Sequence, residues 1–305
     1  MSAPSNATVS TALEAALRSR GLVLVALSAL LFSSGGLIVR SLDTADPWTT
    51  VFWRSVFAAL FLLGYIVWRE RGNTFTVFRQ MGGAGLVVAA CFTAASIGLV
   101  IALSLTTVAN TLIILSISPL VAAGIGRVVL GEKPSPSSWL AMFAAFCGIA
   151  LMVSESAGRG ALAGDLIALT VASALAIAIV TIRRHRHLRM TPASCLATLL
   201  AATIAFPLAT PLAVSTHDFS LLIFFGAGQL GLGLALFTAG ARHAPAAEVA
   251  LIGLLEPILG PVWVWLFLGE EPSATALLGA GVVMGALIAH TLLDRRRVRA
   301  VPPTL

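Results

Sequence analysis

Charge is scarce in this sequence. Asp, Glu, Lys and Arg make up 10% of its residues, against about 25% in an ordinary soluble domain, and Lys133 is its only lysine. That lysine stands in GEKPS, so no GxxxxGK[ST] phosphate loop exists and ATP-driven transport within this chain is excluded. Neither HExxH nor GxSxG occurs, and no cysteine has an evident histidine partner, which argues against an intramembrane enzyme. Cys91, Cys147 and Cys195 fall in three different apolar segments, so no disulfide framework is expected. No metal site and no cofactor are expected either.

What is abundant is apolar length. Hydrophobic residues make up 58% of the chain and its mean hydropathy is +0.97. With 305 residues, and roughly 20 needed per hydrophobic span, there is room for about ten membrane helices and little else. Long apolar stretches broken by Pro, Gly or charge predict spans near 21–41, 48–68, 81–102, 107–129, 137–156, 164–182, 191–212, 219–241, 245–268 and 274–293. The first apolar run is too long for a signal-peptide core and reads as a retained span.

The arginines set the orientation. With a cytoplasmic N-terminus, 16 basic residues fall in inside segments, among them the cluster RRHRHLR at 183–189, and only Arg40 and Arg159 fall outside. That asymmetry predicts both termini in the cytoplasm. The net charge of +6 is thereby explained by topology, and no nucleic-acid partner is expected. The six tryptophans lie near predicted span ends, as an aromatic belt requires; Trp53 is in addition a candidate for stacking on a substrate.

The segment ISPLVAAGIGRVVLGEKPS (117–135) aligns without a gap on LEPILGPVWVWLFLGEEPS (255–273) at an offset of 138 residues. Pro119 matches Pro257, and LGE-x-PS recurs in both copies. These are the fourth and ninth spans, so each half holds five helices and the second half enters the membrane inverted. The fold expected is all-α and integral to the membrane, with ten transmembrane helices as two inverted five-helix repeats around a central cavity. Its parts are a cytoplasmic tail (1–20), a first repeat (21–157), a second repeat (164–293) and a basic cytoplasmic tail (294–305).

A membrane proline about eleven residues before LGE-x-P in each half resembles the EamA-type domain of the drug/metabolite transporter superfamily. Arg54, early in the second span, is similar to another recurrent feature of that family. The likeness covers nearly the whole chain as two copies. It implies a ten-helix transporter with a central cavity, in a superfamily whose members export amino acids, other metabolites or drugs.

Polar groups inside hydrocarbon are costly unless they face a bundle interior or an aqueous cavity, so they nominate the site. The substrate-binding candidates are Glu256, Ser118, Asn110, Ser33, Ser34, Thr93, Ser96, Gln229 and Trp53. Under the repeat, Asn110 corresponds to Glu248 and Ser118 to Glu256, as expected of two helices lining one cavity. Glu248 lies near the cytoplasmic end of its span, within reach of water. Glu256 lies eight residues on, about 12 Å deeper. It can attract a cationic amine, carry a coupling proton, or form a structural pair with Ser118. Pro119, Pro257 and Pro261 each lack an N–H and free a carbonyl one turn back, which makes them candidate kinks and hinges. Arg54 is open to two roles, a structural cap or a partner for a substrate carboxylate. Gly281-Val-Val-Met-Gly285 is a GxxxG pair, and Gly226, Gly228, Gly231 and Gly233 crowd the eighth span.

The function expected is a secondary transporter exporting amino acids, including aromatic and hydrophobic ones, and similar small metabolites across a bacterial-type inner membrane by alternating access. The alternative is an exporter of drugs or other amphipathic metabolites; proton coupling is open to either. Its partners would be a small-molecule substrate and membrane lipid. A monomer is expected, with the GxxxG pair offering a contact for a homodimer.

Overall fold

The computed structural model describes residues 6–43, 46–106, 108–152, 154, 162–269, 271 and 273–300; the side chains of 6–12, 103–104, 108–110, 152, 291 and 294–300 lie outside the description. The described residues are mostly helical, with no strand among them. In chain order the helices are α1 (Asn6–Ser33), α2 (Gly35–Arg40), α3 (Pro47–Glu70), α4 (Thr74–Gln80), α5 (Gly82–Leu105), α6 (Val108–Leu115), α7 (Ser118–Leu130) and α8 (Pro136–Met152). They continue with α9 (Leu162–Arg184), α10 (Thr191–Ala205), α11 (Thr216–Ile223), a π-helical segment (Phe224–Leu232), α12 (Gly233–Ala241), α13 (Ala246–Gly253), α14 (Leu255–Leu268) and α15 (Ala274–Ala300).

Eight continuous or once-broken stretches are long and apolar enough to cross a membrane: Leu13–Arg40, Pro47–Glu70, Gly82–Ala102, Thr111–Leu130, Leu162–Arg184, Thr191–Leu208, Thr216–Ala241 and Ala246–Leu268. Two shorter apolar helices, Pro136–Leu151 and Ala274–His290, coincide with the fifth and tenth spans read from the sequence. Their outward faces carry Leu140, Phe143, Leu278 and Ile288, all exposed, as helices in hydrocarbon do.

Helix ends follow local chemistry. Asp46 caps α3 by accepting from the Trp48 and Thr49 N–H groups, with Pro47 in the first turn. The LGE glycines Gly131 and Gly269 end α7 and α14 in the left-handed conformation, φ 67° and 71°.

The breaks are as regular as the helices. The fourth stretch breaks at Ser116–Ile117, just before Pro119, and the eighth at Leu254, before Pro257. α6 and α13 begin and end at the 138-residue offset of the sequence repeat. The packing repeats with them. α5 lies against α9 as α12 lies against α1; α3 lies against the π-helical segment as α10 lies against α5; α7 lies against α9 as α14 lies against α1. α3–α10 and α8–α15 pair equivalent helices across the two halves, and α7–α13 joins the two broken stretches that correspond under the repeat. Small residues permit these approaches: a Cβ on Gly226 would stand 2.6 Å from the Arg54 carbonyl oxygen, and one on Gly148 2.9 Å from that of Gly279. A Cβ on Gly281 or Gly285, by contrast, would meet nothing within 4 Å, so the GxxxG pair joins no helices among the described residues.

Candidate functional site

The breaks deliver polar groups to the interior. Glu256 stands in the first turn of α14, directly after the Leu254 break. It is accessible to solvent although many protein atoms surround it. Among the described residues it makes no hydrogen bond and no ion pair. Its electrostatic partner is Arg54 of α3, which is likewise enclosed and interacts with it through space.

Arg54 is held from two sides. Its Nη2 donates to Ser96 Oγ of α5 at 2.9 Å, and its guanidinium carbon lies 5.2 Å from the centroid of the Phe225 ring, a cation–π arrangement. Phe225 and Gln229 lie one turn apart on the π-helical segment, a winding often found where function requires it. Gln229 Nε2 donates to the Phe32 carbonyl at 2.9 Å, and Gly35 is small enough to let Gln229 and Phe225 approach the α1–α2 break. Ser33 at that break accepts from Trp263 Nε1 of α14 at 2.8 Å, while its own hydroxyl donates to the Leu30 carbonyl. Among the described residues, the Arg54 Nε and Gln229 Oε1 atoms are buried without a partner, a feature often seen where a ligand or a second conformation completes the bonding.

The structure thus gathers Glu256, Arg54, Ser96, Gln229 and Ser33 around one interior region, with Ser34 at the same break, half-buried and donating to the Leu31 carbonyl. Phe225 and Trp263 join them. Sequence reasoning passed over both, Phe225 because an apolar residue in an apolar span carries no signal, Trp263 because it reads as a belt residue. Ser118 is buried in the first turn of α7, at the mirrored break, and no hydrogen bond joins it to Glu256. The side chain of Asn110 lies outside the described residues.

Two candidates are placed elsewhere. Trp53 belongs to an aromatic cluster with Phe52, Phe57 and Phe219, and its indole donates to the Pro211 carbonyl at 3.1 Å. Thr93 is buried between helices, its hydroxyl within hydrogen-bonding distance of the Ala89 and Ala197 carbonyls, and so joins α5 to α10. Glu248, expected within reach of water, is instead buried and accepts from Arg18 Nη2 and Nε at 2.5 and 3.3 Å. Pro119 and Pro257 follow their breaks, whereas Pro261 lies within continuous α14.

An all-helical bundle in which a broken stretch brings Glu256, and continuous α3 brings Arg54, to one interior region is the arrangement expected of a membrane transporter. The EamA-like transporter family model matches this chain twice, over residues 19–154 and 162–291. The chain belongs to that family, and it is a multi-pass membrane protein. It is also similar to YwfM, an uncharacterized transporter of Bacillus subtilis (strain 168), with 25% identity over 199 residues, 63% of this chain and 67% of that one. A crystal structure of a protein 19% identical shares the fold with a TM-score of 0.79, covering 92% of this chain and 99% of its own.

Proposed function

We propose that this chain is a secondary transporter of ten membrane helices, arranged as two inverted five-helix repeats (21–157 and 164–293), that exports amino acids by alternating access. The observation that carries the reading is the pair Glu256 and Arg54, enclosed, oppositely charged and not joined directly. A zwitterion presents an ammonium to the first and a carboxylate to the second, where a guanidinium can bind it bidentately. Phe225 and Trp263 beside them supply apolar surface suited to aromatic and hydrophobic side chains.

The exchange of packing partners between the halves and the matched breaks support the inverted repeat. Arg18, Arg183, Arg189 and Arg242 mark the cytoplasmic end under the positive-inside rule, with both termini there and the chain in a bacterial-type inner membrane. Pro119 and Pro257 are the hinges in this reading. Glu256 is also the group able to carry a coupling proton.

Purified protein in liposomes loaded with labelled amino acids tests the proposal. Saturable efflux of hydrophobic or aromatic amino acids is expected. If no amino acid moves but amphipathic cations do, the alternative reading, an exporter of drugs or other amphipathic metabolites, replaces it.

A further inference from the structure

Glu132, the acid of the first LGE copy, bonds to two other elements at once. It follows Gly131, whose left-handed backbone turns the chain out of α7. Its Oε1 accepts from Arg183 Nε at the end of α9 at 3.0 Å, and its Oε2 accepts from the N–H of Ala246, the first residue of α13, at 3.1 Å. Arg183 Nη1 also donates to the Arg242 carbonyl, just past α12, at 3.1 Å. A carboxylate on a helix N-terminus is favourable with the helix dipole as well as with the bond itself. Gly126 makes the approach possible: a Cβ there would already lie 3.6 Å from Glu132 Oε2 and 3.7 Å from Ala246 Cβ. The neighbouring pair Arg18–Glu248 grips the same short helix from α1.

α13 and α14 differ sharply beyond this clasp. Ala246 to Leu251 are all buried, whereas α14, past the Leu254 break, buries only Ile258 and Val264 and leaves Glu256 accessible. α13 is therefore packed into the bundle along its length, and α14 is not.

We propose that Glu132 is a positioning residue for transport, the latch that holds α13 across the cytoplasmic end of the path; its release lets α13 swing about the Leu254 break and opens Glu256 to the cytoplasm. The proposal rests on the alternating-access reading above. Both Glu132 and Arg183 are about one-fifth exposed (22% and 20%), so water can replace their mutual bond, as a latch that must open requires.

The test needs no substrate, which separates it from the choice of cargo. In a chain with Cys91, Cys147 and Cys195 replaced by alanine, Ala250→Cys reports on the packed α13 and Gly260→Cys on the far side of Glu256. A membrane-impermeant maleimide is applied to oriented vesicles from each face. Glu132→Ala is expected to raise cytoplasmic labelling at position 250 by about ten-fold or more, the loss of two charge-assisted hydrogen bonds, and to lower labelling at position 260 from the outer face. Glu132→Gln, which keeps an acceptor for the Ala246 N–H, should fall between. Unchanged labelling at position 250 overturns the proposal, and so does a rise at both positions, which signifies only a loosened bundle. Amide hydrogen exchange in the chain with its own cysteines is the second readout. Glu132→Ala should speed exchange across Ala246–Leu251 and slow it in α14, and unaltered exchange in α13 refutes the latch.

Discussion

Trp263 of α14 donates its indole N–H to Ser33 Oγ of α1 at 2.8 Å, fastening the helix that carries Glu256 to the break between α1 and α2. Removing either partner costs about 1 kcal/mol, the net worth of a typical hydrogen bond. Ser33→Ala and Trp263→Phe should each lower the melting temperature in detergent. The double variant should lower it by less than the sum, because the two changes remove one shared bond. Fully additive losses would show that the bond contributes nothing.

Arg54 should tolerate the loss of one support but not of its charge. Ser96→Ala removes its hydrogen bond at 2.9 Å and is expected to reduce flux by a few-fold. Arg54→Gln removes the partner of Glu256 and should reduce flux by about ten-fold or more, since truncating one of two enclosed charges leaves the other uncompensated. Initial rates in proteoliposomes compare the two. Equal losses would place Arg54 among the packing residues.

Glycines divide by what surrounds them. Gly226→Ala drives a methyl into the Arg54 carbonyl, the Phe57 side chain and the Ala58 nitrogen and should destabilise by about 1–3 kcal/mol. Gly281→Ala meets open space and should change stability by no more than about 0.5 kcal/mol. Thermal unfolding of both in one detergent makes the comparison; a large loss for Gly281→Ala would reveal a packed partner, such as a second copy of the chain.

His243, in the loop between α12 and α13, should make stability fall with acid. Burial, and then the positive charges of Arg242, Arg183, Arg20 and Arg186, push its pKa below the ordinary histidine value, and its Nε2 accepts a hydrogen bond from Arg242 Nε. The folded chain therefore holds this ring neutral while the unfolded chain protonates it near 6.5. Below about that pH the unfolded state binds more protons, so stability declines as pH falls through this range and is fully present above it. His243→Gln should flatten that part of the melting-temperature profile, and an unchanged slope would assign it to other groups.

Much of this architecture was legible in the residues themselves. Long apolar runs place the helices, and the gapless recurrence of a proline before LGE-x-PS marks the two breaks, since a proline removes the same backbone bond in each copy. Glu256 stands out because a carboxyl within an apolar span requires a reason. The partners of these groups were not legible. Nothing local in TTVFWRSVF distinguishes Arg54, directed to the interior, from Trp53, spent on the Pro211 carbonyl one residue earlier. Thr93 and Ser96, three residues apart on α5, part for the same reason: one meets backbone carbonyls and the other a guanidinium. Glu132 reads in sequence as a repeat marker, and only the fold brings Arg183 and Ala246 to it.

The most direct measurement compares wild type with Glu256→Gln in the same liposomes, following labelled hydrophobic amino acids with and without an imposed pH gradient. The account predicts saturable flux in wild type and a loss of about ten-fold or more in the variant, as expected when one of two enclosed charges is removed. Any response to the gradient should vanish with the carboxyl. Undiminished flux in Glu256→Gln would contradict the account, because the group at its centre would then neither bind substrate nor carry a proton.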